Sequence, residues 1–95
     1  MYRAANLAVS TSTSAAQTLA GVKSCAISLD DSSVSFTVRV SDDGDAPQAG
    51  DPSTEVPGGG SFVFAFGPDG LGIGQTIQYD ITASGAANAM IEVSS

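Results

Sequence analysis

Apolar residues recur at every second position through five stretches of this chain. Val34, Phe36, Val38 and Val40 alternate with Ser35, Thr37 and Arg39, the period-two pattern of a strand with one buried face. Phe62, Phe64 and Phe66 alternate with Val63 and Ala65, and Ile77, Tyr79 and Ile81 alternate with Gln78 and Asp80. Cys25, Ile27 and Leu29 stand opposite Ser24, Ala26 and Ser28, while Ile91 and Val93 flank an outward Glu92. Two weaker segments precede these. Leu7 and Val9 in NLAVSTSTS read as inward positions of an extended stretch, and SAAQTLAG, although Ser14 and Gln17 have capping-box spacing, is expected to be extended rather than helical.

Turn chemistry separates the strands. Asp30-Asp31-Ser32-Ser33, Pro68-Asp69-Gly70 and Ser84-Gly85 punctuate the alternation with residues that bend the backbone or hydrogen-bond their own main chain. Short polar connections and no sustained helical stripe predict an all-β fold: a single small antiparallel β-sandwich or barrel of about six to eight strands, jelly-roll or Ig-like, over residues 1–95. Outside it lie an expected N-terminal arm, residues 1–6, and a long acidic loop, residues 41–61. That loop, SDDGDAPQAGDPSTEVPGGGS, carries half of the acidic residues and three of the four prolines, with no basic residue.

Composition then bears on stability and partners. The chain has 95 residues, and fourteen of its apolar side chains are alanine, which leaves twenty-six larger ones. A core that small predicts help from association with other subunits. Cys25 is the only cysteine and there is no histidine, so no disulfide can form within the chain, no Cys/His zinc cage can be built and no Ser-His-Asp or Cys-His nucleophile can be assembled. Ten acids against Arg3, Lys23 and Arg39 give a net charge of −7, which repels phosphate backbones and anionic lipid; neither nucleic acid nor membrane is an expected partner. The opening MYRAANLAVSTSTSAA contains no compact apolar segment of signal-peptide type, and synthesis in the cytosol is the expectation.

Candidate chemistry reduces to bland readings. Asp42, Asp43, Asp45 and Asp51 supply the hard oxygens calcium takes, but their spacing is not that of an EF-hand loop, and a solvated loop is the expectation. Asp30 and Asp31 are sequence neighbours in a turn and point different ways, which does not suit an acid–base pair. GLGIG, residues 70–74, lacks the third glycine of a dinucleotide loop and leads into a strand instead of a helix. Cys25 shares a face with Ile27 and Leu29 and reads as a small buried hydrophobe. No enzyme activity, metal or cofactor is expected. Tyr79 is expected to pack between Ile77 and Ile81 with its hydroxyl near the rim, leaving Tyr2 and Tyr79 as the possible aromatic platforms of a carbohydrate-binding or adhesin module, the alternative function. An exported pilus-like subunit is a third class.

The order of the pieces resembles the small all-β virion proteins of tailed bacteriophages, of the capsid decoration or head-fibre type. The matching pieces are the Ser/Thr/Ala-rich lead, the Glu55 to Gly60 turn, the Phe62 to Phe66 aromatic strand and the Ala83 to Val93 closing segment, with PDGLGIGQ and the acidic loop as departures. The resemblance implies a structural protein that is made in the host cytoplasm, binds the major capsid protein or another virion protein on the outer surface, and stabilises that shell. It also implies a homo-oligomer, with a trimer favoured. Tyr2 and Arg3 of the N-terminal arm, with Pro47, Pro52, Val56 and Pro57 of the long loop, are the expected partner contacts.

Overall fold

The computed structural model describes residues 2–41, 45–65 and 76–94. They form eight strands: β1 (Tyr2–Val9), β2 (Gln17–Ala20), β3 (Ser24–Leu29), β4 (Phe36–Ser41), β5 (Ser53–Val56), β6 (Ser61–Ala65), β7 (Thr76–Ala83) and β8 (Ala87–Ser94). All five strongly alternating stretches are strands, and SAAQTLAG supplies β2. The front sheet has the order β1-β8-β3-β6 and the back sheet β2-β7-β4-β5. Every pairing is antiparallel. Strands 1 and 8, 2 and 7, 3 and 6, and 4 and 5 are each neighbours, so the first half of the chain pairs strand by strand with the second, and the double ribbon is wound into two sheets. That is the jelly-roll form of the β-sandwich.

Alternation fixes which side of each sheet faces in. In the front sheet Cys25 stands in register with Val93 and Phe64, and Ile27 with Ile91 and Phe62. In the back sheet Phe36 lies between Val56 and Ala83, and Val38 is level with Ile81. These rows meet in one core, in which Cys25, Ile27, Val38 and Ile81 have no exposed surface. Phe64 and Tyr79 join the sheets through rings whose centroids are 5.6 Å apart, and Phe62 meets Phe64 edge-on at 4.8 Å. Edge-to-face and tilted contacts of this kind suit the ring quadrupoles.

Two boundaries differ from expectation. The segment expected as an N-terminal arm is strand: β1 begins at Tyr2 and pairs with β8 without interruption from Tyr2↔Ser94 to Val9↔Ala87. Backbone pairing to a strong neighbour outweighs the weak alternation of an alanine-rich segment. The long loop is also divided, because Ser53–Val56 forms β5 against β4, with Val56 opposite Phe36. The Ser/Thr-rich lead has a structural use. Crossing from the front sheet to the back, it runs beside β7: the Ala83 amide donates to the Ser10 carbonyl at 2.8 Å, and the Ser14 amide donates to the Ile81 carbonyl at 2.9 Å. The Ile81 amide donates back to Ser14 Oγ at 3.0 Å.

The β5–β6 turn closes with the Gly60 amide donating to the Pro57 carbonyl at 3.0 Å. Gly58 lies with its backbone against the Ser32 carbonyl oxygen of the β3–β4 turn, leaving no room for a Cβ, whereas nothing lies near Gly50. Gly58→Ala is therefore expected to destabilise the fold by about 1–3 kcal/mol, the usual cost of overpacking, while Gly50→Ala stays within about 0.5 kcal/mol of the parent. Urea denaturation of the two variants side by side checks this.

Candidate docking faces

The outer surfaces of the two sheets differ in chemistry. On the front sheet the outward positions form cross-strand rows. One runs Asn6, Met90, Ser28, Ser61, and the next runs Ala4, Glu92, Ala26, Val63. The side chains are mostly small and, apart from Glu92 within the second row and Asp30 at one end, uncharged. Val63 is 59% exposed and Met90 44%, and both large apolar side chains exposed among the described residues lie on this face. A shallow hollow bordered by Asn6, Ser28, Asn88 and Met90 indents it.

The back sheet carries an ion pair instead. Arg39 on β4 and Asp80 on β7 are directly opposite, and Arg39 Nη2 donates to Asp80 Oδ2 at 2.8 Å. The sequence pattern places Asp80 on the solvent side of its strand, and its position on the outer face agrees, yet the residue is only 4% exposed. Such a carboxylate needs its charged partner. The hydrogen bond to Asp80 is the main cause holding the Arg39 guanidinium above its ordinary pKa, and the Asp80 and Asp51 charges add to it. Arg39 Nε is buried with no partner among the described residues. What sequence reasoning missed here is the register: Arg39 and Asp80 each read as a lone outward charge, and only the β4–β7 pairing brings them together.

Part of the acidic loop is folded down. The Val40 amide donates to the Pro52 carbonyl at 2.9 Å, and the Asp51 amide donates to the Gln48 carbonyl at 3.0 Å. The Gln48 amide donates to Asp51 Oδ2 at 2.8 Å. These bonds make a closed turn around Asp51, with Pro47 buried. Asp42 and Asp43, like GLGIG, lie outside the described residues. No group of three acidic or cysteine side chains among the described residues is placed to hold a metal ion. At the β3–β4 turn, Asp31 Oδ1 accepts from the Ser33 amide at 2.9 Å and from the Ser33 hydroxyl at 2.6 Å, which holds its carboxyl below the usual range. Asp30 Oδ1 accepts from the Asn88 amide at 2.9 Å. Both carboxylates thus serve turns.

The expected contact residues are dispersed. Tyr2 and Arg3 stand in β1 opposite Ser94 and Val93, with side chains outside the described set. Pro52 and Pro57 are exposed on either side of β5. Val56 is corrected: at 5% exposure it belongs to the core, since its strand position faces Phe36, and it offers a partner nothing. Pro47 is likewise buried and offers no free contact surface. Tyr79 is 1% exposed, deeper than the rim position expected, so its ring is not a sugar platform. Burial raises the Tyr79 hydroxyl well above the ordinary phenol.

Comparison with protein-family models, with curated proteins and with solved structures finds no match.

Two outcomes follow from this geometry. Asp80→Asn is expected to lower the melting temperature because it leaves the guanidinium with no countercharge at the pair; the double variant Arg39→Met with Asp80→Leu should lose less than the sum of its single variants, as measured by calorimetry. Burial pushes the Cys25 thiol from 9.0 up to about 11. The folded chain therefore holds that proton more tightly, and the stability this represents is whole below the unfolded value and lost as pH rises from 9.0 through about 11. At pH 8 a thiol reagent is expected to titrate no cysteine in the native protein and one after unfolding; fast native labelling would refute the burial.

Proposed function

We propose that this chain is a structural subunit of a virion, docking on the outer surface of a bacteriophage capsid through the outer face of its front sheet. The observation that carries the reading is the chemistry of that face. In a chain of net charge −7, one sheet surface is built mostly of small side chains with Glu92 and Asp30 as its charges, and Val63 and Met90 stand out of it. Protein–protein contacts have this character at their centre: charge is depleted, Met is enriched, and a few apolar side chains fill pockets on the partner. The layout shared with small virion proteins supplies the kind of partner. The jelly roll is used by virion proteins, but also by lectins and cupins, so the fold by itself does not choose among them.

An acidic exterior suits such a role, because it does not compete for the packaged nucleic acid. Stabilisation of the shell would come from bridging neighbouring capsid subunits, at the expense of apolar surface that is exposed in the free chain. The role requires no catalytic group.

The test is co-sedimentation with candidate capsids. The parent protein should band with the shell, and Val63→Glu combined with Met90→Glu should reduce occupancy at least about tenfold, the loss of one or two central contacts. Both residues are exposed, so the variant's own melting curve should be unchanged. Capsid occupancy equal to that of the parent would overturn the docking face; binding to glycans without binding to any capsid would favour the sugar module.

A further inference from the structure

The edge strands of the sandwich are unequal. β2 and β5 have four residues each and β6 has five, whereas β1 has eight. Short edges are one way a sheet protects itself from pairing with another chain; prolines, lysines and bulges are others. β1 has none of these. Its sequence, YRAANLAV, contains no proline and no lysine, and its one-to-one register with β8 over the full length leaves no bulge. Between β1 and β2 the sandwich is open, with a cavity of about 270 Å³ whose walls include Ala4, Ala5, Gln17 and Thr18 and whose floor includes Leu19, Tyr79 and Ile91.

The charges are unequal as well. All ten acids lie at Asp30 or beyond, and residues 1–29 carry only Arg3 and Lys23. Neither β1 nor β2 carries an acid in a strongly acidic chain, and two copies pairing there set no carboxylate of one strand against a carboxylate of the other. Lys23 and Asp30 stand at the two ends of β3, two strands in from that edge, and the Lys23 amide donates to the Ser94 carbonyl at 2.7 Å.

We propose that β1 is a homodimer edge: two copies pair β1 with β1 antiparallel about a twofold axis at Ala5, continuing the front sheet from one chain into the next. In that register Tyr2 faces Ala8, Arg3 faces Leu7, Ala4 faces Asn6 and Ala5 faces its own copy, so each face of the sheet stays continuous across the axis. No like charges stand opposite each other. A twofold contact must be self-complementary, and this edge is so in length and sets no acid against its own copy. Pairing β1 with the acidic β5 edge of another copy would match charge, but it sets eight residues against four. Eight residues span only about 27 Å, below a standard interface in area, so association is weak and concentration-dependent. The proposal is independent of what the front sheet docks on.

Sedimentation velocity across low-micromolar to near-millimolar protein, with amide hydrogen exchange at both ends of the range, tests it. A monomer–dimer equilibrium is expected, and at high concentration alternate amides of β1 should gain protection while β2, β5 and β6 do not. Ala5 is exposed, and Ala5→Glu should weaken the dimer about fivefold, since the axis sets the two carboxylates directly opposite each other; mixing Ala5→Glu with Ala5→Lys should restore it. Thermal melts identify any variant that fails to fold, and the parent's exchange pattern decides the matter without variants. A chain that stays single throughout, a trimer or larger ring, or dimers that leave β1 amides unprotected would each overturn the proposal, as would a dimer indifferent to Ala5→Glu.

Discussion

Everything in this molecule depends on two apolar sheet faces closing on each other. The core rows run Phe64, Cys25, Val93 in front and Val38, Ile81 behind, and Phe64 and Tyr79 meet across the gap. Because a side chain on a strand faces one way or the other, committing these rows inward commits the intervening residues outward. The outer face of the front sheet and the Arg39–Asp80 ion pair are therefore consequences of the same alternation. A radius of gyration of 12.7 Å is close to the roughly 12.4 Å expected of a compact domain of this length. The chain is therefore fully collapsed, and what it lacks relative to larger domains is apolar volume.

The outer faces show two ways of finishing a sheet. The back sheet buries a carboxylate and compensates it: Asp80 holds Arg39, Asp51 adds to the field, and a closed turn around Asp51 folds part of the acidic loop down. A pair of this kind is costly to desolvate and more costly to break, so it fixes the β4–β7 register more than it adds to stability. The front sheet spends nothing of the sort. Its outward rows of Ala, Ser and Asn, with Glu92 among them, leave Met90 and Val63 in solvent.

Much of the fold was legible in the sequence wherever alternation ran for five residues or more. Val34 to Val40 and Thr76 to Thr82 identified β4 and β7 to within about two residues, and the aromatic run located β6. β5 and the first half of β1 escaped for a common physical reason. Leu7 and Val9 read as inward positions, and Val9 is buried with Leu7 packed against the core, but ahead of them alanines occupy both faces, so no contrast marks the inward side; in β5 a single apolar residue, Val56, sits inside a Pro/Gly-rich segment too short for a period to be read. Both are held by backbone pairing to a better-marked partner. Of the expected contact residues, Val56 and Pro47 failed because a loop composition conceals which of its residues turn inward. The front face went unseen for another reason: it is made of residues from β1, β8, β3 and β6, far apart in sequence and adjacent only once the strand order is known.

Strand order also explains why the edge and the face are related. β1 lies at the margin of the front sheet, not the back one, and any strand added to it extends the surface that bears Val63 and Met90 instead of the one that bears the ion pair. The winding of a jelly roll leaves four edge strands, two at each side. Here the side formed by β1 and β2 comes from the acid-free start of the chain, and the side formed by β5 and β6 from the segment carrying Asp51 and Glu55. Net charge of −7 keeps free copies apart at long range, and salt shortens that range to about 8 Å at physiological ionic strength. Within that distance local chemistry decides, and the acid-free edge is where two such chains repel least.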